Sequence, residues 1–108
     1  MNIREQLVNK VLAEGGFWSY DKQSVRCGVS DGQLIEAVLE LLDIDEISLL
    51  FQLFSLKKIK KIWLRTMVTQ GDFYYSLNRF YAWYYFDIRN PDRYLQSMRT
   101  RYLTKITK

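Results

Sequence analysis

The sequence predicts an all-α protein: a compact array of about six short helices in a single domain over residues 1–108, with the fifth helix central. Three observations carry that prediction. Apolar residues recur at helical spacing along most of the chain, and each helix start from Ser30 onward carries a residue suited to cap it. No stretch of four or more alternating residues is bounded by turn signals, Ser24 to Val29 being the one doubtful case.

The first helix is expected over about residues 3–14, because Ile3, Leu7, Val8, Val11 and Leu12 fall on one face and Gly15-Gly16 supplies a left-handed stop. Phe17-Trp18-Ser19-Tyr20 leads into a long polar loop, Asp21 to Ser30, which the aromatic pair would anchor to the core. Ser30 and Gln33 make a capping-box pattern ahead of Leu34, Ile35, Val38, Leu39 and Leu42. Asp43 and Glu46 make another, ahead of Ile44, Ile47, Leu50, Phe51 and Phe54. Ser55 is placed to cap a fourth helix, Leu56 to Met67, and Thr69 an aromatic fifth. Asn90-Pro91 puts a capping asparagine before a first-turn proline, opening the sixth. The joints at Asp43 and Ser55 are so short that the second, third and fourth helices must turn sharply and pack as neighbours.

The composition is globular, with 48% apolar and 26% charged residues and a single proline. A chain of this length buries about 65% of its unfolded surface and needs no covalent staple. With no histidine and one cysteine, Cys27, it has no Ser-His or Cys-His dyad, no histidine base, no Cys/His zinc cage and no disulfide within the chain. The expectation is a protein that is not an enzyme and carries neither cofactor nor metal. Asp43, Asp45 and Glu46 offer oxygens to a hard cation, but capping and dipole complementation account for all three. Glu36 and Glu40 lie one turn apart on a polar face, and the glycine pairs lack the spacing of a phosphate loop. The N-terminus has no signal-peptide core, and the most apolar stretch, residues 73–88, is broken by Asn78, Arg79 and Asp87 below a spanning length. A cytoplasmic protein that does not engage membranes, with Cys27 reduced, is expected.

Charge and aromatic residues are unevenly placed. Residues 1–54 carry four basic and nine acidic side chains, a net of −5, whereas residues 55–108 carry twelve basic and three acidic, a net of +9. Nine of the 17 aromatic residues lie between Phe73 and Phe86. On the fourth helix, Leu56, Ile59, Ile62, Trp63, Thr66 and Met67 share one arc and Lys57, Lys58, Lys61 and Arg65 the opposite one. Those four cations read as a contact for phosphates or an acidic partner, in a helix-turn-helix if the third helix precedes a recognition helix, or as an ordinary solvated face. The fifth helix is apolar nearly all round: Phe73, Leu77, Phe80 and Tyr84 form one stripe, Tyr74, Tyr81, Tyr85 and Ile88 a second, and Tyr75, Ala82 and Phe86 the far side, with Trp83 near Ser76. Such a helix is either a central core element or shared with a partner. Its five tyrosines, whose hydroxyls favour wet surroundings, argue for an interface over part of it, with Tyr75 and Trp83 as contact candidates.

Phe17-Trp18, then Ile35-Glu36-Ala37-Val38-Leu39, Asp43-Ile44-Asp45-Glu46-Ile47 running into Leu50-Phe51, Lys58-Ile59-Lys60, Leu77-Asn78 and Tyr85-Phe86-Asp87-Ile88 follow one another in an order that resembles a family of small helical bacterial proteins. Members of that family look like the antitoxin partner encoded beside an AbiEii-type nucleotidyltransferase toxin. The resemblance spans roughly residues 17–95. It implies a protein-binding, antitoxin-like module that neutralises a nucleotidyltransferase toxin. A DNA-binding regulator using the basic face of the fourth helix is the alternative reading. A homodimer built on a self-complementary aromatic surface is a third.

Overall fold

The structure, a computed structural model, describes residues 2–17 and 28–107, the side chains of 71, 72 and 102–107 excepted. Trp18, the loop up to Cys27 and the doubtful strand's start at Ser24 therefore lie outside the described residues. Among those described, the chain is all-α and without strands: α1 (Ile3–Ala13), α2 (Asp31–Leu41), α3 (Ile44–Leu53), α4 (Leu56–Thr66), a 3₁₀ helix (Val68–Tyr74), α5 (Tyr75–Tyr84) and α6 (Pro91–Thr107). No helix there is long and apolar enough to cross a membrane. Residues group into two compact units, Met1–Ile59 and Lys60–Lys108.

In the first unit α1, α2 and α3 pack against one another. Leu7 and Val11 of α1, Leu34, Ile35, Val38 and Leu39 of α2, and Ile47 and Leu50 of α3 are buried, as the helical spacing predicts. The helix ends follow local chemistry. The Gly15 N–H donates to the Leu12 carbonyl and the Gly16 N–H to the Val11 carbonyl, with Gly15 at φ +83°, which is the Schellman closure of α1. The Ser30 hydroxyl accepts from the Gln33 N–H while the Gln33 side chain accepts from the Ser30 N–H, closing the capping box of α2. Glu46 accepts from the Asp43 N–H at 3.2 Å, and the Lys58 N–H donates to Ser55 Oγ at 3.1 Å.

The second unit joins the 3₁₀ helix, α5 and α6. Its centre is Trp63, fully buried, stacked on Phe86 with ring centroids 4.7 Å apart. The Trp63 indole N–H donates to Asn78 Oδ1 at 2.9 Å, and Asn78 Nδ2 donates to the Met67 carbonyl at 3.2 Å, so the buried polar residue of α5 is held from both ends. The expectation that Thr69 caps the aromatic helix is not met. Its hydroxyl donates back to the Arg65 and Thr66 carbonyls, and the chain passes from α4 into the 3₁₀ helix almost without a break. The aromatic helix proper starts at Tyr75. It also ends earlier than its second stripe requires: Asp87 adopts φ +52° and Ile88 lies beyond the helix, its N–H reaching back to the Ala82 carbonyl.

Candidate partner-binding surface

α4 exposes Lys57, Lys58, Lys61 and Arg65 and buries Ile59, Ile62, Trp63, Leu64 and Met67, close to the arcs expected. Leu56 departs from them, since it is about half exposed. The four cations are not equivalent. The Lys58 ammonium is tied to Asp31 Oδ2 at 2.6 Å and lies 5.3 Å from the centre of the Phe54 ring. Lys57, Lys61 and Arg65 remain as a row with successive i, i+4 spacing, and among the described residues none of the three makes an ion pair. Two cations of α1 are taken up by carboxylates: Arg4 pairs with Asp31 at 2.8 Å and also donates to the Val29 carbonyl, and Lys10 pairs with Glu46 at 2.9 Å. Hydrogen bonds from Lys58 and Arg4 hold the Asp31 carboxyl below the ordinary carboxylate range, and one from Lys10 does the same for Glu46. Glu46 is thereby committed to a cap and an ion pair, which accounts for its place in the acidic cluster with Asp43 and Asp45. Among the described residues no group of three or more Cys, Asp or Glu side chains converges as a metal site would require.

α5 is not covered on all sides. It buries Asn78, Tyr81 and Ala82, while Tyr75, Leu77, Trp83 and Tyr84 are exposed and Phe80 is half-buried. At 100° per residue Leu77, Phe80, Trp83 and Tyr84 lie within one arc, and within it the Phe80 and Tyr84 rings stack with centroids 5.1 Å apart. Phe73, in the preceding 3₁₀ helix, is 79% exposed. The stripe Phe73, Leu77, Phe80 and Tyr84, read from spacing alone, is the outward one. Burial comes from the neighbouring positions, where hydrogen bonding to Trp63 draws in Asn78.

Tyr75 and Trp83, the two aromatic contact candidates, share a row on α5 with Arg79 between them, yet differ in environment. The Tyr75 hydroxyl donates to Asp92 Oδ1, which also takes the Arg79 Nε–H at 3.0 Å, and the Arg79 guanidinium lies 5.9 Å from the centre of the Tyr75 ring. This cluster edges a groove of about 270 Å³ lined by Val68, Tyr75, Asn78, Asp92, Leu95, Gln96 and Arg99. Trp83 instead projects with 62% of its surface exposed, close only to the Tyr84 ring among the ring contacts described. Asp92, the acid that fixes Tyr75 and Arg79, carries no signal in the sequence because it lies one helix away in the chain. Burial of the Tyr85 side chain, with a smaller effect from Tyr84, raises the phenol pKa and keeps it neutral.

No family model, no curated protein and no solved structure matches this chain. The surfaces therefore carry the functional argument on their own chemistry. Leu77, Trp83 and Tyr84 are exposed large apolar side chains on one helix, with half-buried Phe80 among them.

Proposed function

We propose that the protein is a non-enzymatic, antitoxin-like binding module, that it contacts its partner through the exposed apolar face of α5, and that the partner is a nucleotidyltransferase toxin. The observation that carries protein binding is that face itself: Trp83, 62% exposed, and Tyr84, 53% exposed, stand beside Leu77 and Phe80 on a helix that buries only its opposite side. Large aromatic side chains left in water raise the free energy of the isolated protein and lower it again when a partner covers them. The sequence resemblance supplies the class of partner. Co-expression with the product of the adjacent gene tests this reading: a nucleotidyltransferase should co-purify with the chain, and its toxicity should fall. A neighbouring gene of another kind, with no protein retained, removes it.

A second reading, a DNA-binding regulator, draws support from the Lys57, Lys61 and Arg65 row. Three exposed cations at one-turn intervals, without carboxylate partners among the described residues, suit a phosphate backbone. Changing all three to Ala should then weaken retention of duplex DNA and flatten its salt dependence. Unaltered affinity, or no retention at low salt by the native protein, excludes this second reading.

A further inference from the structure

The groove of the second unit combines apolar walls with a few polar groups, as sites for small ligands do. Val68 and Leu95, both nearly fully buried, supply the apolar part, and Asn78, 2% exposed, lines it beside them. The Asn78 amide accepts the Trp63 N–H and gives one N–H to the Met67 carbonyl, which leaves it a second N–H and a second lone pair. Gln96, whose carbonyl accepts from Thr100, adds a side-chain amide that makes no hydrogen bond among the described residues. At about 30 Å³ per water molecule, the groove of about 270 Å³ has room for about nine waters, close to the size of a bicyclic heterocycle.

Two charged groups on the lining decide the class of ligand. Asp92 and Arg99 share one face of α6 with Leu95 and Gln96, and their seven-residue separation places them about 10 Å apart along the helix axis. Asp92 Oδ1 receives the Tyr75 hydroxyl and the Arg79 Nε–H, whereas Oδ2 accepts no hydrogen bond among the described residues. A carboxylate only accepts and so selects an N–H edge; a guanidinium only donates and so selects an anion. An amino acid carries its ammonium and carboxylate on one carbon and cannot span the two. A nucleotide spans them, with an amino group on its base and a phosphate at its far end. We infer that the groove binds a free purine nucleoside monophosphate whose base carries an exocyclic amino group. The base lies on Val68 and Leu95 with that amino group toward Asp92, the Asn78 and Gln96 amides meet the ring nitrogens, and the phosphate meets Arg99. This site is separate from the exposed face of α5 and from the Lys57, Lys61 and Arg65 row, and goes beyond both readings drawn from them.

Titration of the full chain with adenosine monophosphate, inosine monophosphate and adenosine, followed by calorimetry, tests the assignment. Adenosine monophosphate should bind at least about tenfold tighter than inosine monophosphate, which turns a carbonyl oxygen and not an amino group toward Asp92, and at least about tenfold tighter than adenosine, which lacks the phosphate. Asp92→Asn should remove the first preference and Arg99→Ala the second, with circular dichroism showing the fold retained. Arg101→Ala, which removes an exposed cation of α6 outside the groove, should leave all three affinities unchanged. No saturation by about 5 mM adenosine monophosphate, the absence of either preference, or equal weakening by Arg101→Ala and Arg99→Ala overturns the inference. Displacement of the nucleotide by an equal concentration of inorganic phosphate overturns it too, because the occupant is then an anion alone. So does tighter binding, per nucleotide, of a short oligoadenylate, because the occupant is then a nucleic-acid strand. None of these measurements involves the adjacent gene's product or duplex DNA, so this assignment stands or falls separately from both earlier readings.

Discussion

Gly16 is a residue whose necessity comes from packing and not from its own backbone angle. A Cβ there would lie 2.3 Å from Val11 Cγ1 and 2.8 Å from Leu41 Cδ1, closer than side-chain carbons approach. Gly16→Ala should therefore destabilise the protein by about 1–3 kcal/mol, seen as a lower thermal midpoint. Gly28→Ala, where an added Cβ meets nothing within 4 Å, should leave the midpoint nearly unchanged and serves as the control. Asn78 makes the complementary case in the second unit. Asn78→Leu removes the acceptor of the Trp63 indole N–H, leaves a donor unpaired in an apolar centre, and should cost about 1–3 kcal/mol in denaturant unfolding. Trp63→Phe, which removes that donor along with indole volume, followed by the double variant, should show that the two losses do not add. Additive losses would mean that the hydrogen bond contributes nothing of its own.

Among the elements, α2 opens at a crossing of charges. Asp31, its first residue, receives Arg4 from α1 and Lys58 from α4, and these hydrogen bonds lower its pKa. A carboxyl whose folded pKa lies below its unfolded value adds stability above the unfolded value and loses it as pH falls through the folded one. The thermal midpoint should therefore fall as pH drops from about 5 to about 3, and Asp31→Asn should flatten that fall while lowering the midpoint at neutral pH. Glu46, held low by Lys10, titrates in the same direction, so Asp31→Asn reduces the slope without abolishing it. An unaltered slope in Asp31→Asn would remove Asp31 from the acid response. The caps at Ser30, Asp43, Ser55 and Asn90 were all legible because each bonds a backbone N–H three residues on. Asn2 caps α1 in the same way, accepting from the Glu5 N–H at 2.8 Å, and the Asn-x-x-Glu spacing was available to predict it. Thr69 offered the same residue type, but the 3₁₀ helix had already absorbed the chain there, leaving its hydroxyl to the preceding carbonyls.

At the scale of the whole molecule, charge divides into a net of −5 over residues 1–54 and +9 over residues 55–108. Long-range attraction of a cationic half steers acidic partners, and salt removes that steering. Raising ionic strength from about 0.05 M to about 0.5 M should slow association with an acidic partner about tenfold while changing dissociation little, as stopped-flow mixing would resolve. The Lys57, Lys61 and Arg65 row belongs to this scale too. Because these side chains are exposed and make no ion pair among the described residues, replacing all three with Ala should alter folding stability by no more than about 0.5 kcal/mol, so any lost binding reports on contact and not on unfolding.

Periodicity, caps and composition determined the helical class, the order of the helices and the core of α1, α2 and α3, because those features depend on neighbours within a turn or two along the chain. The cationic face of α4 and the aromatic density of α5 were equally plain from spacing. Tertiary structure alone decided which of those side chains stand in water. Asp31, 27 residues from Lys58 in the chain, takes that cation out of the row; Asp92 fixes Tyr75; and α5 turns Asn78, bonded to Trp63, with Tyr81 and Ala82 inward, leaving Leu77 and Trp83 outward. Each of these is a contact between distant segments. A helix that is apolar on every side offers several faces of similar burial energy, and contacts with distant segments, a buried hydrogen bond among them, choose between those faces.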